Sequence, residues 1–288
     1  MSRLSQTLTV LKHAGQAWLA DDAPSMGAAL AFYSAFSLAP LLIIASAVAG
    51  LVFGAGAARS AVVSQFQDLI GPIGAEAVER LLNATANIGT GVFASAIGVT
   101  LLLIGASSVV IELQNDLNRI WHVPRHDRSG YSALLRARLL AFGLILGFGF
   151  LLLVSLIINV GLSAMVQRSQ LFAQRAVLLH TLNLLVSIAA YSVLFAMLFK
   201  WLPNVRLAWR DVWRGACVTA VLFSLGQLGI GFYLGRSATT SAYAAAASLL
   251  VLLLWLYYAA QIFLFGAEFT WAYAQHRRQL TQPKHKTP

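Results

Sequence analysis

Charged side chains are scarce in this chain of 288 residues, and six long stretches contain none at all. Only 10% of the residues are charged, whereas an ordinary soluble domain has about 25%. A helix crosses a bilayer with about 20 mostly apolar residues, and each stretch reaches that length. The stretches lie between Asp22 and Arg59, Arg80 and Glu112, Arg138 and Arg168, Arg175 and Lys200, Arg214 and Arg236, and Arg236 and Glu268. The composition excludes a soluble domain and indicates a polytopic membrane protein.

Cysteine is almost absent, and this excludes a disulfide framework or a cysteine-based metal site. The one cysteine, Cys217, falls within an apolar stretch. His122 and His126 have the spacing of a metal-binding pair, but Pro124 between them disfavours a continuous helix. The sequence also lacks a glycine-rich phosphate loop, a helical zinc motif and a nucleophile elbow. We therefore expect no enzyme activity, no cofactor, no metal and no catalytic residues.

Acidic residues are outnumbered two to one by Lys and Arg, which gives a net charge of +10. The basic residues lie at the ends of the apolar stretches, where anionic lipid headgroups and the positive-inside bias account for them without a nucleic-acid partner. Fifteen of the 20 fall before the first stretch, after the sixth, or in two alternate connections. This asymmetry predicts a membrane protein with both termini in the cytoplasm.

The pattern predicts an all-α fold with a single six-helix transmembrane domain over residues 1–275 and a basic cytoplasmic tail over 276–288. The spans are predicted at about 28–54, 92–112, 139–166, 177–200, 213–235 and 244–273. Before the first span, apolar residues at helical spacing predict an amphipathic helix in the membrane interface. The long outer connection between the first two spans predicts short amphipathic helices, broken at Gly71-Pro72.

Acidic residues at the cytoplasmic ends of two spans are the first candidates for function. Glu112, Asp116 and Arg119 are spaced to share one helical face, with Asn118 beside it. The two carboxylates could share a proton, hold a cation or be neutralised by Arg119 within the helix end. Glu268, near the end of the sixth span, could pair with an arginine of the inner loops or act as a substrate or coupling group.

Other polar or helix-breaking residues fall inside or beside the spans. Tyr33 and Pro40 lie in the first span, where the proline removes a backbone donor; the resulting kink could line a cavity or serve packing. Gln261 in the sixth span could bind a ligand or form an interhelical hydrogen bond. We take these residues as candidate substrate or gating positions.

Several short motifs together resemble the YihY/BrkB family of bacterial inner-membrane proteins, some of which carry the label ribonuclease BN. The motifs span most of the chain, and one of them supplies Pro203 as a further candidate position. They are Ala-Leu-Ala-Phe-Tyr-Ser-Ala-Phe-Ser-Leu-Ala-Pro at 29–40, Leu-Asn-Arg-Ile-Trp at 117–121, Leu-Pro-Asn-Val-Arg at 202–206, Gly215-Ala216, and Leu-Leu-Trp-Leu-Tyr through Gly-Ala-Glu at 253–268. The resemblance implies a six-helix inner-membrane bundle with cytoplasmic termini. The family names also imply virulence.

Three classes of function are compatible with these features. The inner-face arginines favour a transporter or flippase-like exporter of an amphiphilic substrate, with an anionic lipid or glycolipid as partner. A small-solute or ion transporter and a non-transporting envelope scaffold stay as alternatives, and a homo-oligomer is compatible with each. Ribonuclease activity is not expected, because its candidate ligands cluster around one helix end and a short loop.

Overall fold

The computed structural model describes residues 3–86, 92–124, 143, 176–236 and 244–281. These residues form helices and their connections, with no strand among them, which confirms the predicted all-α class. The helices are α1 (Arg3–Ala20), α2 (Ala23–Phe53), α3 (Ala55–Ala86), α4 (Val92–Ile120), α5 (Ala176–Trp201), α6 (Trp209–Arg236) and α7 (Ala244–Thr281). The predicted third span at 139–166 lies outside the described residues, except for the helical Gly143.

Two of the described helices contain segments that are long and apolar enough to cross a membrane. These segments are Leu184–Trp201 in α5 and Ser248–Arg278 in α7. Only 22% of the first and 33% of the second are buried within the protein, whereas a core helix of a soluble protein would be mostly buried. Exposed leucines such as Leu185 and Leu250 therefore face outward, as lipid contact requires. The count of six spans stays a prediction.

A main core joins the beginning of α2 to the ends of α4, α5 and α7 and to the first half of α6. Its largest fully buried side chains are Leu117 and Ile120 of α4, Phe199 of α5 and Leu264 of α7. The ring of Phe199 lies 5.2 Å from that of Phe263 on α7. We call this end of the bundle the basic end, because Lys200, Arg206, Arg210, Arg214, Arg277 and Arg278 follow or flank it.

Helices α6 and α7 approach each other closely at two glycines. Thr219 of α6 covers Gly266 of α7, and Thr270 of α7 covers Gly215 of α6. Each threonine hydroxyl donates to the carbonyl oxygen of the glycine one turn earlier in its own helix, at 2.7 Å. The hydroxyls are thus satisfied without water, and the reciprocal contact fixes an antiparallel register in which residue 215 lies opposite residue 270.

The break predicted at Gly71-Pro72 is present within α3. Gly71 has φ 76° and ψ 178°, a conformation that a side chain would strain, and the following proline cannot donate to the preceding turn. After the break, Val78 and Leu82 pack on Leu42 of α2 and Trp255 of α7. The second arm of α3 therefore covers the bundle at the end opposite the basic end.

Helix α1 packs along the last turns of α7. Val10 and Ala14 are buried against Phe269 and Ala272. The leucines whose spacing predicts an amphipathic helix lie on another face of α1, and one of them, Leu8, is 65% exposed. Protein contact therefore occupies one face of α1 and leaves the leucine face free, and its position in the membrane interface stays a prediction.

The connection from α5 to α6 is held against the end of α4 by side-chain hydrogen bonds, and we call this contact the latch. The Gln114 side-chain amide donates to the Leu202 carbonyl at 2.9 Å. The Asn118 Oδ1 accepts from the Asn204 backbone N–H at 2.8 Å. Leu202 and Pro203 are buried beneath it. Two sequence motifs about 90 residues apart are thus one structural unit.

Gly215→Ala should destabilise the bundle, because the added methyl would overlap Thr270 Oγ1 and approach Thr270 Cβ to 2.8 Å. Overpacking of this kind costs about 1–3 kcal/mol. Thermal unfolding in detergent should show a lowered Tm for this variant and partial recovery in Gly215→Ala/Thr270→Ala. The control is Gly229→Ala in the same helix, where an added methyl meets nothing within 4 Å. Equal Tm values for the two glycine variants would contradict the close packing.

Asn118→Ala should loosen the latch, because it leaves the Asn204 N–H without its acceptor, at a cost of about 1–3 kcal/mol. Hydrogen exchange at residues 202–207 should become faster. Asn115→Ala removes the same side chain from an exposed position three residues earlier and should leave exchange unchanged. An identical exchange pattern in both variants would show that the latch does not hold this connection.

Candidate functional site

Glu268 lies at the centre of the candidate site, on α7 within the apolar segment Ser248–Arg278. Its side chain is fully buried, with 0% exposure, and neither carboxyl oxygen has a hydrogen-bond partner among the described residues. The flanking Gly266 and Ala267 allow α6 and the main core to close over it. An uncompensated carboxylate in such surroundings is costly, and Glu268 is the acid of the described bundle with both carboxyl oxygens buried and without a partner.

The neighbour of Glu268 is Asp21, at the junction between α1 and α2. The charge of the Asp21 carboxyl group acts on Glu268. No hydrogen bond joins the two side chains, because both oxygens of Glu268 lack a partner among the described residues. The Asp21 backbone N–H donates to the Ala17 carbonyl at 2.8 Å and so continues the last turn of α1. This hydrogen bond orders the junction between α1 and α2.

Gln261 holds the beginning of α2 against α7, two turns before Glu268. Its side-chain amide donates to the carbonyls of Ala23 and Pro24, at 3.3 and 3.4 Å. The same amide lies over Gly27, where a methyl group would overlap it. Gln261 is thus an interhelical hydrogen-bonding residue, although its own Oε1 is buried without a partner. Together with Asp21, it fixes how the α1–α2 junction lies on α7.

Asp116 is the second buried acid, on α4 beyond the predicted span 92–112. It is 4% exposed, and its Oδ2 has no hydrogen-bond partner. Burial raises the pKa of Asp116 from 3.8 to about 7; the charge of Glu112 raises it further and that of Arg119 lowers it. Arg119 is exposed, and no ion pair joins these three residues in the described part of the chain. Charge neutralisation inside this helix end is therefore incomplete.

Glu268 pairs with none of the inner-loop arginines Arg206, Arg210 and Arg214. Arg206 and Arg210 are exposed, and Arg214 lies over the Tyr273 ring at 4.7 Å. The reason is register: residue 215 lies opposite residue 270, so the preceding residues of α6 face later turns of α7. Accordingly, Asp211 pairs with Arg277 at 3.0 Å, about 13 Å further along α7 than Glu268.

The other predicted positions fall in separate places. Asn118 and Pro203 belong to the latch. Tyr33 is 37% exposed and packs edge-on against Phe32 at 5.9 Å, away from the buried acids. Helix α2 continues through Pro40, whose side chain lies outside the described residues. Of the nine predicted positions, Gln261 and Glu268 are brought together on one face of α7.

The end of α4 reaches α7 one turn beyond Glu268. His122, with φ 53°, ends α4, and its ring stacks on Trp271 at 5.4 Å. The described residues contain no group of three or more His, Cys, Asp or Glu side chains that could hold a metal ion, and His126 lies outside them. A separate shallow depression of about 240 Å³ lies on α3, between Arg59 and Glu79. It is remote from the buried acids, because α3 covers the opposite end.

Asp21 and Asp211 are the residues that sequence reasoning missed. Asp21 directly follows the C-terminus of α1, where an acidic side chain is electrostatically unfavourable. An acid at this unfavourable position indicates that its side chain has a role other than helix capping. Asp211 occupies the first turn of α6, where the helix dipole favours a carboxylate, so its sequence position gave no clue to the pair with Arg277.

Comparison with known proteins places this bundle among bacterial membrane proteins. The family model described as virulence factor BrkB matches residues 14–288. Among curated relatives, UPF0761 membrane proteins of Ralstonia nicotianae, Pseudomonas paraeruginosa and Azotobacter vinelandii are each 28% identical, over 89%, 87% and 98% of this chain. The alignments cover 56%, 59% and 67% of those relatives, so the chain spans little more than half the length of the first two.

No solved structure matches the chain. The family match is therefore the comparison that identifies it, and it covers nearly the whole sequence, including all of α2 to α7 and the last part of α1. The motifs that carried the sequence resemblance lie within the matched residues, and two of them meet in the latch. The chain belongs to the virulence factor BrkB family of bacterial membrane proteins.

Proposed function

We propose that this protein is an inner-membrane transporter that moves an anionic amphiphile, such as a lipid or glycolipid of the cell envelope. The observation that carries the proposal is the full burial of Glu268, without a hydrogen-bond partner, inside an apolar segment of membrane-spanning length. An ionisable residue at such a position is expensive and is typically part of a substrate or coupling pathway. A structural role alone would be served better by an apolar residue.

The contacts at the basic end support an inner-membrane location with cytoplasmic termini. The latch joins the ends of α4 and α5, and the Gly215 contact brings the start of α6 beside the end of α7. Basic residues from these separate parts of the sequence therefore meet at one end of the bundle. Arg59 and Arg80 lie on α3 at the other end. This asymmetry is what the positive-inside rule requires of a cytoplasmic face.

An anionic substrate is supported by the surface around the α5–α6 connection. Trp201, Trp209 and Trp213 are between 43% and 48% exposed, as tryptophans of a membrane-interface belt are. Lys200 lies over the Trp209 ring at 5.5 Å, and Arg206 and Arg210 are exposed beside it. Each basic residue near the membrane surface attracts anionic headgroups by about 1 kcal/mol. The surface thus concentrates anionic lipid at the end of the bundle that contains the acids.

A non-transporting envelope scaffold is the second candidate, and one observation favours it. The Gly and Thr contacts leave α6 and α7 without space between them, as a rigid bundle requires. A scaffold role does not explain, however, why Glu268 is buried without a hydrogen-bond partner among the described residues. Neither proposal includes catalysis.

Glu268→Ala and Arg119→Ala should each abolish transport while the protein stays folded. The probe is fluorescent headgroup-labelled phosphatidylglycerol in vesicles of phosphatidylethanolamine and phosphatidylglycerol, with transbilayer movement followed by chemical quenching. Movement should fall to the rate of protein-free vesicles. Glu79→Gln, an exposed acid on α3, is the control and should retain the wild-type rate. Full activity of both variants would eliminate this assignment.

Native mass spectrometry from membrane nanodiscs separates the two candidates. A transporter of anionic lipid should release that lipid enriched over the bulk membrane, and the enrichment should disappear in the Glu268 and Arg119 variants. A scaffold should show no enrichment that depends on Glu268.

Asp116→Asn should stabilise the protein at pH 8 but not at pH 4. The pKa of Asp116 in the folded protein, about 7, lies above its ordinary value of 3.8, so the folded state holds the proton more tightly. That stabilisation is present below pH 3.8 and is lost as the pH rises to about 7. The Tm difference between variant and wild type should grow across this window, and Glu79→Gln should show no such growth. A constant difference would show that burial does not perturb Asp116.

A further inference from the structure

The connection between α5 and α6 carries aromatic and basic side chains that form one surface at the basic end of the bundle. We call this surface the tryptophan–arginine patch, and it consists of Lys200, Trp201, Arg206, Trp209, Arg210 and Trp213. Trp201 of α5 and Trp209 of α6 lie edge to face, with their ring centroids 6.5 Å apart. Lys200 donates to the Leu207 carbonyl and lies 5.5 Å from the centre of the Trp209 ring. The patch is therefore continuous across two helices.

The patch lies at the level where the apolar, membrane-long segment of α5 ends. That segment runs from Leu184 to Trp201, and exposed apolar side chains such as Leu185 and Val193 face outward along it. The three tryptophans of the patch are about half exposed. A tryptophan combines an apolar ring with a polar N–H, so it is favoured at the boundary between hydrocarbon and headgroups. In a bilayer that contains α5, the patch therefore faces the headgroup region.

Packing on both sides of Arg206 directs its side chain away from the protein. Val205 before it packs against the main core, and Leu207 after it is buried within that core. The latch fixes the backbone just before this point, because Asn118 Oδ1 accepts from the Asn204 N–H at 2.8 Å. Arg206 is thus presented to the surface by an ordered segment of backbone. Ordering before binding lowers the entropic cost of holding a ligand.

The charge of the patch fits a phosphodiester. The one acid between residues 200 and 214, Asp211, is buried and pairs with Arg277 at 3.0 Å. Arg206 and Arg210 are exposed, and neither forms an ion pair in the part of the chain that the structure describes. A guanidinium group donates two parallel hydrogen bonds to phosphate oxygens. A soluble phosphate would leave the exposed indole rings without a contact, whereas a phospholipid offers them its glycerol and acyl groups.

We propose that the tryptophan–arginine patch is a binding site for the headgroup of an anionic phospholipid. Arg206 and Arg210 bind the phosphodiester, and the exposed tryptophans pack against the glycerol backbone and the first acyl methylenes. The latch is a positioning element of this site, because it orders the connection that carries Arg206. The assignment to the cytoplasmic leaflet, and any use of the site to load a substrate, rests on the function proposed above, whereas headgroup binding does not.

The test is the quenching of tryptophan fluorescence by brominated lipid in phosphatidylcholine nanodiscs that contain the full chain. Brominated phosphatidylglycerol and brominated phosphatidylcholine are titrated in parallel, and the ratio of the two quenching curves gives a relative binding constant. The wild type should favour phosphatidylglycerol. Trp209→Phe/Trp213→Phe removes two reporters of the patch and should reduce this preferential quenching. Equal quenching by the two lipids in the wild type would overturn the proposal.

Arg206→Ala and Arg210→Ala should each lower the relative binding constant by about fivefold, the attraction expected of one basic residue near anionic headgroups. The matched control for the double variant is Lys12→Ala/Arg278→Ala, which removes two exposed cations from α1 and the end of α7. The control should keep the wild-type constant. Equal losses in the two double variants would show that only the net charge of the basic end attracts lipid, and that result would overturn the site.

Asn118→Ala tests the positioning role of the latch. It should lower the preference for phosphatidylglycerol, while quenching by brominated phosphatidylcholine stays at the wild-type level because the bundle remains folded. Asn115→Ala, the exposed neighbour, should change neither value. A wild-type preference in Asn118→Ala would contradict the positioning role.

Inorganic phosphate separates a lipid site from a site for soluble anions. Phosphate added at an ionic strength matched with NaCl should leave the lipid preference unchanged. Relief of quenching by phosphate, but not by chloride, would identify a soluble-anion site and overturn the lipid assignment.

These measurements do not depend on lipid movement. A preference for phosphatidylglycerol that requires Arg206 and Arg210, in a protein that moves no lipid, would support the site and contradict the proposed function. Movement of phosphatidylglycerol by a protein that shows no preference in the quenching assay would overturn the site and leave the proposed function standing.

Discussion

The close approach of α6 and α7 at two glycines determines how the polar groups of these two helices meet at the basic end of the bundle. Because Gly215 lies under Thr270 and Gly266 under Thr219, the two helices have one register, and each threonine hydroxyl is satisfied within its own helix. This register places Asp211 beside Arg277 and leaves Glu268 opposite the turn of α6 between Gly215 and Thr219. The acid is isolated from arginines by geometry, although arginines are plentiful in the sequence nearby.

The same constraint explains why the α1–α2 junction becomes important. With α6 closed over one side of α7, the remaining side is covered by the beginning of α2, which Gln261 holds through Ala23 and Pro24. The chain then presents Asp21 to Glu268 rather than a basic residue. Helices that would otherwise need only apolar packing meet here through two acids.

Local features of the fold were predictable from the sequence, and the relations between distant segments were not. Uncharged stretches predict helices because a bilayer admits few other structures, and Gly71-Pro72 predicts a break because its chemistry is local. The helical wheel also puts Asp116 and Arg119 on one face, yet it cannot show that Arg119 stays exposed while Asp116 is buried. The partner of Glu268 depends on the register of α6 against α7, which a single helix does not encode. The position of Asp21 relative to Glu268 also depends on how the helices pack, which the sequence alone does not show.

Hydrogen-bond satisfaction separates architectural polar residues from functional candidates in this bundle. Asn118 and Glu268 are equally buried and equally prominent in the sequence motifs, but Asn118 accepts a backbone hydrogen bond at 2.8 Å and completes the latch. Glu268 makes no such hydrogen bond, since neither of its oxygens has a partner among the described residues. A buried polar group that is satisfied stabilises one structure, whereas one that is unsatisfied leaves a second state within reach.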